Sequence, residues 1–279
     1  MKLKKRMAFI LVLIIAMLSM TTGCGKKEET TTEVTTEEAT EASTAVTTEA
    51  TTQEEKTYEE LGTVDSGDRT FVKTNGVHQE GETTLTYLGH ASVKIVTADG
   101  TVIYIDPNYK DADYSDEADI VLVTHGHDDH MPCKAVVMKE DATEITWREA
   151  HPSPDVYEKF EINGIEIEAV PATNIKHNID SCVGYIITVD GIKIYHAGDT
   201  SMIDSMGELT GKEIDFAMYP IDGEYNMDAQ EASEVANLVN AKYNIPIHEF
   251  DQGDTRKSDN FQPNSRLVLE YGDTIIISD

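Results

Sequence analysis

From Thr84 to Ile95 apolar and polar residues alternate, the two-residue period of a strand with one buried face. Ala98-Asp99-Gly100 supplies a turn and Val102-Ile103-Tyr104-Ile105 resumes the pattern, predicting a hairpin. It stops at Asp106-Pro107, because proline cannot continue a ladder. Asp119 to Thr124 is a continuous apolar strand. Two more hairpins follow, one turning at Asn163-Gly164 into Ile165–Val170, the other at Asp190-Gly191 between Val183–Val189 and Ile192–Tyr195. Phe216 to Ile221 and Ile245 to Ile247 read as further strands. Asp228-Ala229-Gln230-Glu231 is a capping-box pattern, after which Ala232, Val235, Ala236 and Val239 recur at helical spacing. A second helix is expected between Asp129 and Lys139, with Pro132 obscuring its start. Many strands, few helices and regular turn signals predict two stacked sheets with helices outside.

The first 24 residues stand apart from this pattern. Lys2, Lys4, Lys5 and Arg6 precede the apolar run Met7–Met20, and Thr21-Thr22-Gly23-Cys24 follows, the three regions of an export signal. The run is shorter than the roughly 20 residues that cross a bilayer as a helix. Its Gly-Cys ending resembles a bacterial lipoprotein signal, although Thr21 stands where an aliphatic residue is usual. That resemblance implies lipidation of Cys24 and an extracytoplasmic protein anchored to the cell membrane; a secreted protein or an uncleaved anchor are the alternatives. Residues 25–63 are nearly all Thr, Glu, Ala and Ser, too poor in apolar surface to offset the entropy of ordering, and predict a disordered tether. Residues 64–279 suffice for one domain with a substantial core.

Residues 62–279 carry 41 Asp and Glu against 15 Lys and Arg, a net charge of −26. A field of that sign repels nucleic acid, and no basic run interleaved with aromatic residues appears. Bound divalent cations would reverse the sign locally, so a small anionic substrate remains compatible. Cys133 and Cys182 can pair in an exported protein, but ordinary thiols are the expectation.

Thr124-His125-Gly126-His127-Asp128-Asp129-His130 changes the picture most. It reads H-x-H-x-D-H directly after an apolar strand, three imidazoles and a carboxylate within six residues. These are the groups that zinc and its first-row neighbours take from proteins. Downstream, His177, Asp199 and His248 each follow an apolar strand, as a site at one sheet edge requires. Asp106 is placed to stand behind a metal-bound imidazole, or simply to start a turn before Pro107. His78 and His151 carry no motif and are expected at the surface.

Leu88-Gly89-His90-Ala91-Ser92, Ile105-Asp106-Pro107, the H-x-H-x-D-H run, Tyr195-His196-Ala197-Gly198-Asp199-Thr200 and Ile245-Pro246-Ile247-His248 occur in that order. Together they resemble the metallo-β-lactamase fold hydrolase superfamily, in its L-ascorbate-6-phosphate lactonase-like branch. The resemblance spans about residues 84–250 and implies an α/β fold, a four-layer αββα sandwich, with two divalent metal ions. Zinc is the leading choice, with manganese or iron as alternatives. Carried over by position, His125, His127 and His177 hold one ion, with Asn174 or His196 as rivals to His177. Asp129, His130 and His248 hold the other, and Asp199 bridges. Asp129 also serves catalysis, by hydrogen-bonding a bridging hydroxide. His90 and His196 lie near the site without a ligand role, and Gly198 allows close backbone approach beside Asp199.

The function so implied is a metal-dependent hydrolase, attacking an ester, lactone or phosphodiester of a small-molecule substrate. β-Lactamase action is disfavoured within that class. The rival from another class is a tethered binding module with a structural metal and no turnover.

Overall fold

The computed structural model describes residues 58–63, 70–74, 81–249 and 257–278. In chain order the first strands are β1 (Tyr58–Thr63), β2 (Thr70–Thr74), β3 (Thr83–Gly89), β4 (Ser92–Val96), β5 (Val102–Ile105), β6 (Ala118–Val123) and β7 (Met138–Thr146). The short helix α1 (Trp147–Ala150) leads to β8 (Lys159–Ile162), β9 (Ile165–Pro171), β10 (Val183–Val189), β11 (Ile192–His196) and β12 (Phe216–Pro220). Helix α2 (Ala229–Val239), β13 (Tyr243–Ile247) and β14 (Thr274–Ser278) complete the order. One sheet has eight strands, β1-β2-β14-β3-β4-β5-β6-β7, and the other six, β13-β12-β11-β10-β9-β8.

Strand alternation explains how the two sheets stack. Val93, Ile95, Ile103, Ile105, Ile120 and Leu122 of the larger sheet share one core with Tyr185, Ile187, Ile194, Phe216 and Met218 of the smaller. The intervening residues of the smaller sheet, Ile186, Tyr195, Ala217 and Tyr219, pack with Ala232, Val235, Ala236 and Val239 of α2. Each such fully buried large aliphatic side chain contributes roughly 1.5–3 kcal/mol. The expected sandwich with helices outside is therefore formed. Its helical cover among the described residues is thin: α2 with the 3-10 turn Asp204–Leu209 over the six-stranded sheet, and α1 beside β7. None of these helices is long and apolar enough to cross a membrane.

All three expected hairpin turns are present: Ala98-Asp99-Gly100 joins β4 to β5, and the two-residue turns have positive φ at Asn163, Gly164, Asp190 and Gly191, the conformation that turns of this hand demand. Other expectations need revision. The alternation from Thr84 to Ile95 is two antiparallel strands, β3 and β4, joined by a turn at His90-Ala91 with His90 at φ 55°. No helix forms between Asp129 and Lys139; the His127 carbonyl accepts from the amides of both His130 and Met131 (3.1 Å each), and the chain continues by turns into β7. Tyr58–Thr63, assigned to the tether, pairs antiparallel with β2, so ordered backbone begins before residue 64. Pairing with a partner strand, which composition does not register, decides that boundary. The signal, residues 25–57 of the tether and His78 lie outside the described residues.

Parallel strands prepare the place for a ligand. β5, β6 and β7 run parallel in one sheet, and β11, β12 and β13 in the other. Side chains just beyond the ends of such strands are free of the ladder and can converge on a common point.

Helix α2 starts as its sequence predicts: the Asp228 carboxylate accepts from the amides of Gln230 and Glu231 (2.9 and 2.8 Å). Glu231 does not return to the cap; its carboxylate accepts from the Met202 amide instead (2.9 Å). Asp228→Ala should cost about 1 kcal/mol and lower the Tm by about 2–4 °C for a domain of this size. A thermal melt followed by circular dichroism checks this, and an unchanged Tm would show that the cap contributes nothing.

Candidate metal centre

Five chain segments converge beyond strand ends: residues 125–130 after β6, His177 after β9, Asp199 after β11, His248 after β13, and His90 from the β3–β4 turn. Three groups of donor atoms result, each with its members within 4.8 Å of one another. One is His125, His127 and His177; a second is His90, Asp129, His130 and His248; a third is His125, His130 and Asp199. His177 Nε2 lies 3.0 Å from His127 Nδ1. His130 Nε2 lies 3.4 Å from His248 Nε2 and 4.0 Å from Asp129 Oδ2.

Asp199 stands between the two sets. Its Oδ1 is 3.3 Å from His248 Nε2 and 3.5 Å from His130 Nε2, and its Oδ2 is 3.9 Å from His125 Nε2. His125 Nε2 and Asp199 Oδ1 are buried and make no hydrogen bond. A buried polar atom left so costs about 1–3 kcal/mol, and a cation at this point would remove the cost. The donor set, imidazole nitrogen and carboxylate oxygen, suits a first-row divalent ion. The residues present therefore fit bound metal.

Behind the donors, hydrogen bonds fix which imidazole nitrogen faces inward. Asp106, fully buried, accepts from the Thr124 amide (2.8 Å), the Thr124 hydroxyl (2.6 Å) and His130 Nδ1 (2.7 Å). With its proton given to Asp106, the Thr124 oxygen can accept from His125 Nδ1, 3.0 Å away. Asn174 Oδ1 accepts from His177 Nδ1 (2.9 Å), and Asp222 Oδ2 lies 3.2 Å from His248 Nδ1. For His130, His125 and His177 the outer hydrogen bond occupies Nδ1 and leaves the Nε2 lone pair for the centre, and the Asp222 carboxylate stands on the matching side of His248.

The electrostatics follow the same division. Burial, reinforced by the neighbouring histidines, pushes His125 far below its ordinary value, and burial also lowers His177, so both are neutral bases. Burial opposes charge on His130 too, but Asp106, Asp199 and Asp129 outweigh it and raise His130 to about 9. The same carboxylates would attract a divalent ion, whose binding would compete with that proton. Asp129 is held well below the carboxylate range, chiefly by His90 Nε2 at 3.1 Å.

All seven ligand candidates thus meet in one region. His90 lies closer than expected, against Asp129 and with its ring 3.8 Å from that of His248. Its αL backbone is held by the Tyr87 hydroxyl (3.0 Å) and the His248 amide (2.8 Å), both donating to its carbonyl. His196 is engaged with backbone: Nε2 donates to the Ala91 carbonyl (2.9 Å), while Nδ1 accepts from the Gly198 amide (3.2 Å). Gly198 has φ 65°, and a Cβ there would lie 2.5 Å from the Val183 carbonyl oxygen. Cys133 and Cys182 are free thiols, and neither joins a donor group among the described residues. His151 is buried, not at the surface, with Nδ1 donating to the Val156 carbonyl (2.7 Å) and its ring stacked on Tyr157. Asp222 was missed by sequence reasoning; its position after the apolar strand Phe216–Ile221 was the available signal.

A family model of the β-lactamase superfamily domain matches residues 84–248. A relative named UPF0173 metal-dependent hydrolase, from Thermococcus onnurineus, is 32% identical over 185 residues, covering 58% of this chain and 82% of the relative. Another of that name, from Methanoregula boonei, is 34% identical over 184 residues, covering 59% and 81%. The crystal structure of a protein described as a metal-dependent hydrolase from Parabacteroides distasonis superposes with a TM-score of 0.57 at 28% identity, covering 76% of this chain and 97% of that one. A metallo hydrolase from Ignicoccus hospitalis shares the fold (TM-score 0.53, 22% identity, covering 70% and 98%). By the extent of these matches and by its two-sheet frame, the chain belongs to the β-lactamase superfamily of metallo-β-lactamase fold.

Proposed function

We propose that this protein is a metal-dependent hydrolase in which His125, His127 and His177 hold one divalent ion and Asp129, His130 and His248 a second, with Asp199 shared. The buried, unbonded His125 Nε2 and Asp199 Oδ1, facing a common point, carry this reading. Bound there, a metal pair lowers the pKa of water and polarises the oxygen of a carbonyl or phosphoryl group. Asp129, with its side chain 54% exposed, faces the open side of the centre and stays ionised. It can accept a hydrogen bond from an attacking water, while His90 Nε2, 3.1 Å away, donates to it and keeps it ionised and in place. With Nε2 so engaged, His90 acts as Asp129's partner and not as a ligand.

Esters, lactones and phosphodiesters of small molecules are the substrate class, which includes the chemistry of the ascorbate-6-phosphate lactonase-like branch. The fold does not choose among them. We further propose an extracytoplasmic enzyme tethered to the membrane through lipidated Cys24, a reading supported by the order of charged, apolar and Gly-Cys segments.

Removal of metal with a chelator should abolish hydrolysis on a panel of ester, lactone and phosphodiester substrates. Adding back zinc, manganese or iron singly should restore it and identify the preferred ion. A metal-loaded protein that binds panel compounds without turning any over would make it a binding module. Asp199→Ala should lose metal and activity together while keeping its circular dichroism spectrum; full activity would rule out a shared ligand. Asp106→Ala should weaken metal binding about 10–100-fold. It should also destabilise the apoprotein by about 3–5 kcal/mol, because it strands His130 in the interior. Denaturant unfolding and metal titration check the two effects separately.

A further inference from the structure

Behind the metal-facing atoms runs a second line of contacts that joins the two ends of the centre. His177 Nδ1 donates to Asn174 Oδ1 (2.9 Å), and Asn174 Nδ2 donates to Asn226 Oδ1 (2.6 Å). Asn226 Nδ2 donates to Asp222 Oδ2 (2.6 Å), and that oxygen lies 3.2 Å from His248 Nδ1. The donors and acceptors fit only one way. Turning the Asn226 amide over would set its oxygen against the Asp222 carboxylate and its NH2 against that of Asn174. The chain therefore orients both amides without ambiguity.

Each end of the line is also the anchor of its own loop. Asn174 Oδ1 accepts from the amides of Lys176 and His177 (2.8 Å each). Asp222 Oδ1 accepts from the amides of Glu224 and Tyr225 (2.8 Å each). One side-chain atom thus shapes each loop while its neighbouring atom meets the Asn226 amide, and the Asn174–Asn226 bond crosses between the loops. Asn226, buried, is the only member of the line that touches neither imidazole nor a loop amide with its side chain in these contacts. Lys176 Nζ, 5.2 Å over the Tyr225 ring, makes a second contact between the same loops.

We infer that Asn226 is a positioning residue that couples the two metal sites, by tying the loop of His177 to the carboxylate behind His248. The inference rests on the proposed ligand assignment. Loss of the Asn226 amide removes one restraint from Asn174 and one from Asp222 at once, so both terminal imidazoles are held less firmly although neither has lost its direct partner. The two binding steps should then weaken together, in a protein that still carries all seven donor side chains.

The test is titration of the metal-free full chain with zinc against a chromophoric chelator, with no substrate present. Wild type should take up two ions; failure to do so would overturn the ligand assignment and the coupling with it. Asn226→Ala should weaken both stepwise constants by about 10-fold or more. Weakening of one step alone, or of neither, overturns the coupling. Asn174→Ala provides a second variant that cuts the same line, and the double variant should bind zinc no more weakly than the poorer single one. Additive losses would show that the two amides act separately. Melting of each apoprotein identifies any variant that is unfolded, and the same two-step criterion then applies to the other single variant.

Discussion

Asp106 is the point on which the centre depends. It sits at the end of β5, fully buried at φ 45°, and its carboxylate gathers the Thr124 amide, the Thr124 hydroxyl and His130 Nδ1. Through Thr124 it reaches His125 as well. One carboxylate thus aligns the first and last histidines of the H-x-H-x-D-H run, and locks the end of β6 to the end of β5. Its charge survives complete burial because His130 lies against it and two Thr124 donors solvate it, which together outweigh desolvation.

The second constraint is that the donors come from both halves of the sandwich. Residues 125–130 hang from the eight-stranded sheet, whereas His177, Asp199 and His248 follow strands of the six-stranded one. The shared core of isoleucine, tyrosine and phenylalanine side chains therefore sets the spacing of the donor atoms. Interiors packed at crystal-like density deform little. On that frame Asp199 lies 3.3–3.9 Å from His248, His130 and His125.

Much of this is readable in the chain alone. His125, His127, Asp129 and His130 are contiguous and follow a strand that its apolar run identifies. His177, Asp199 and His248 each stand beyond a strand, so local pattern suffices to nominate them. The β3–β4 turn is not readable, because the alternation continues through Gly89 and His90 with no break in period. β7 escapes because it is an edge strand with seven of its nine positions polar or alanine, leaving no apolar face to detect. The partnership of Asn174, Asn226 and Asp222 is illegible for another reason. Asn and Asp are ordinary loop residues, and only the folded chain brings positions 174 and 226 within 2.6 Å.

β14 has a consequence of a different kind. It pairs on one side with β3, residues 274–277 against 83–86, and on the other with β2, and the hairpin β1–β2 meets the rest of the sheet only across it. The earliest strands of the chain thus wait on one of the latest. During synthesis β3 to β7 can assemble while the β1–β2 pair has nowhere to dock, and a nascent chain stalled before residue 274 would have a sheet three strands short, not one.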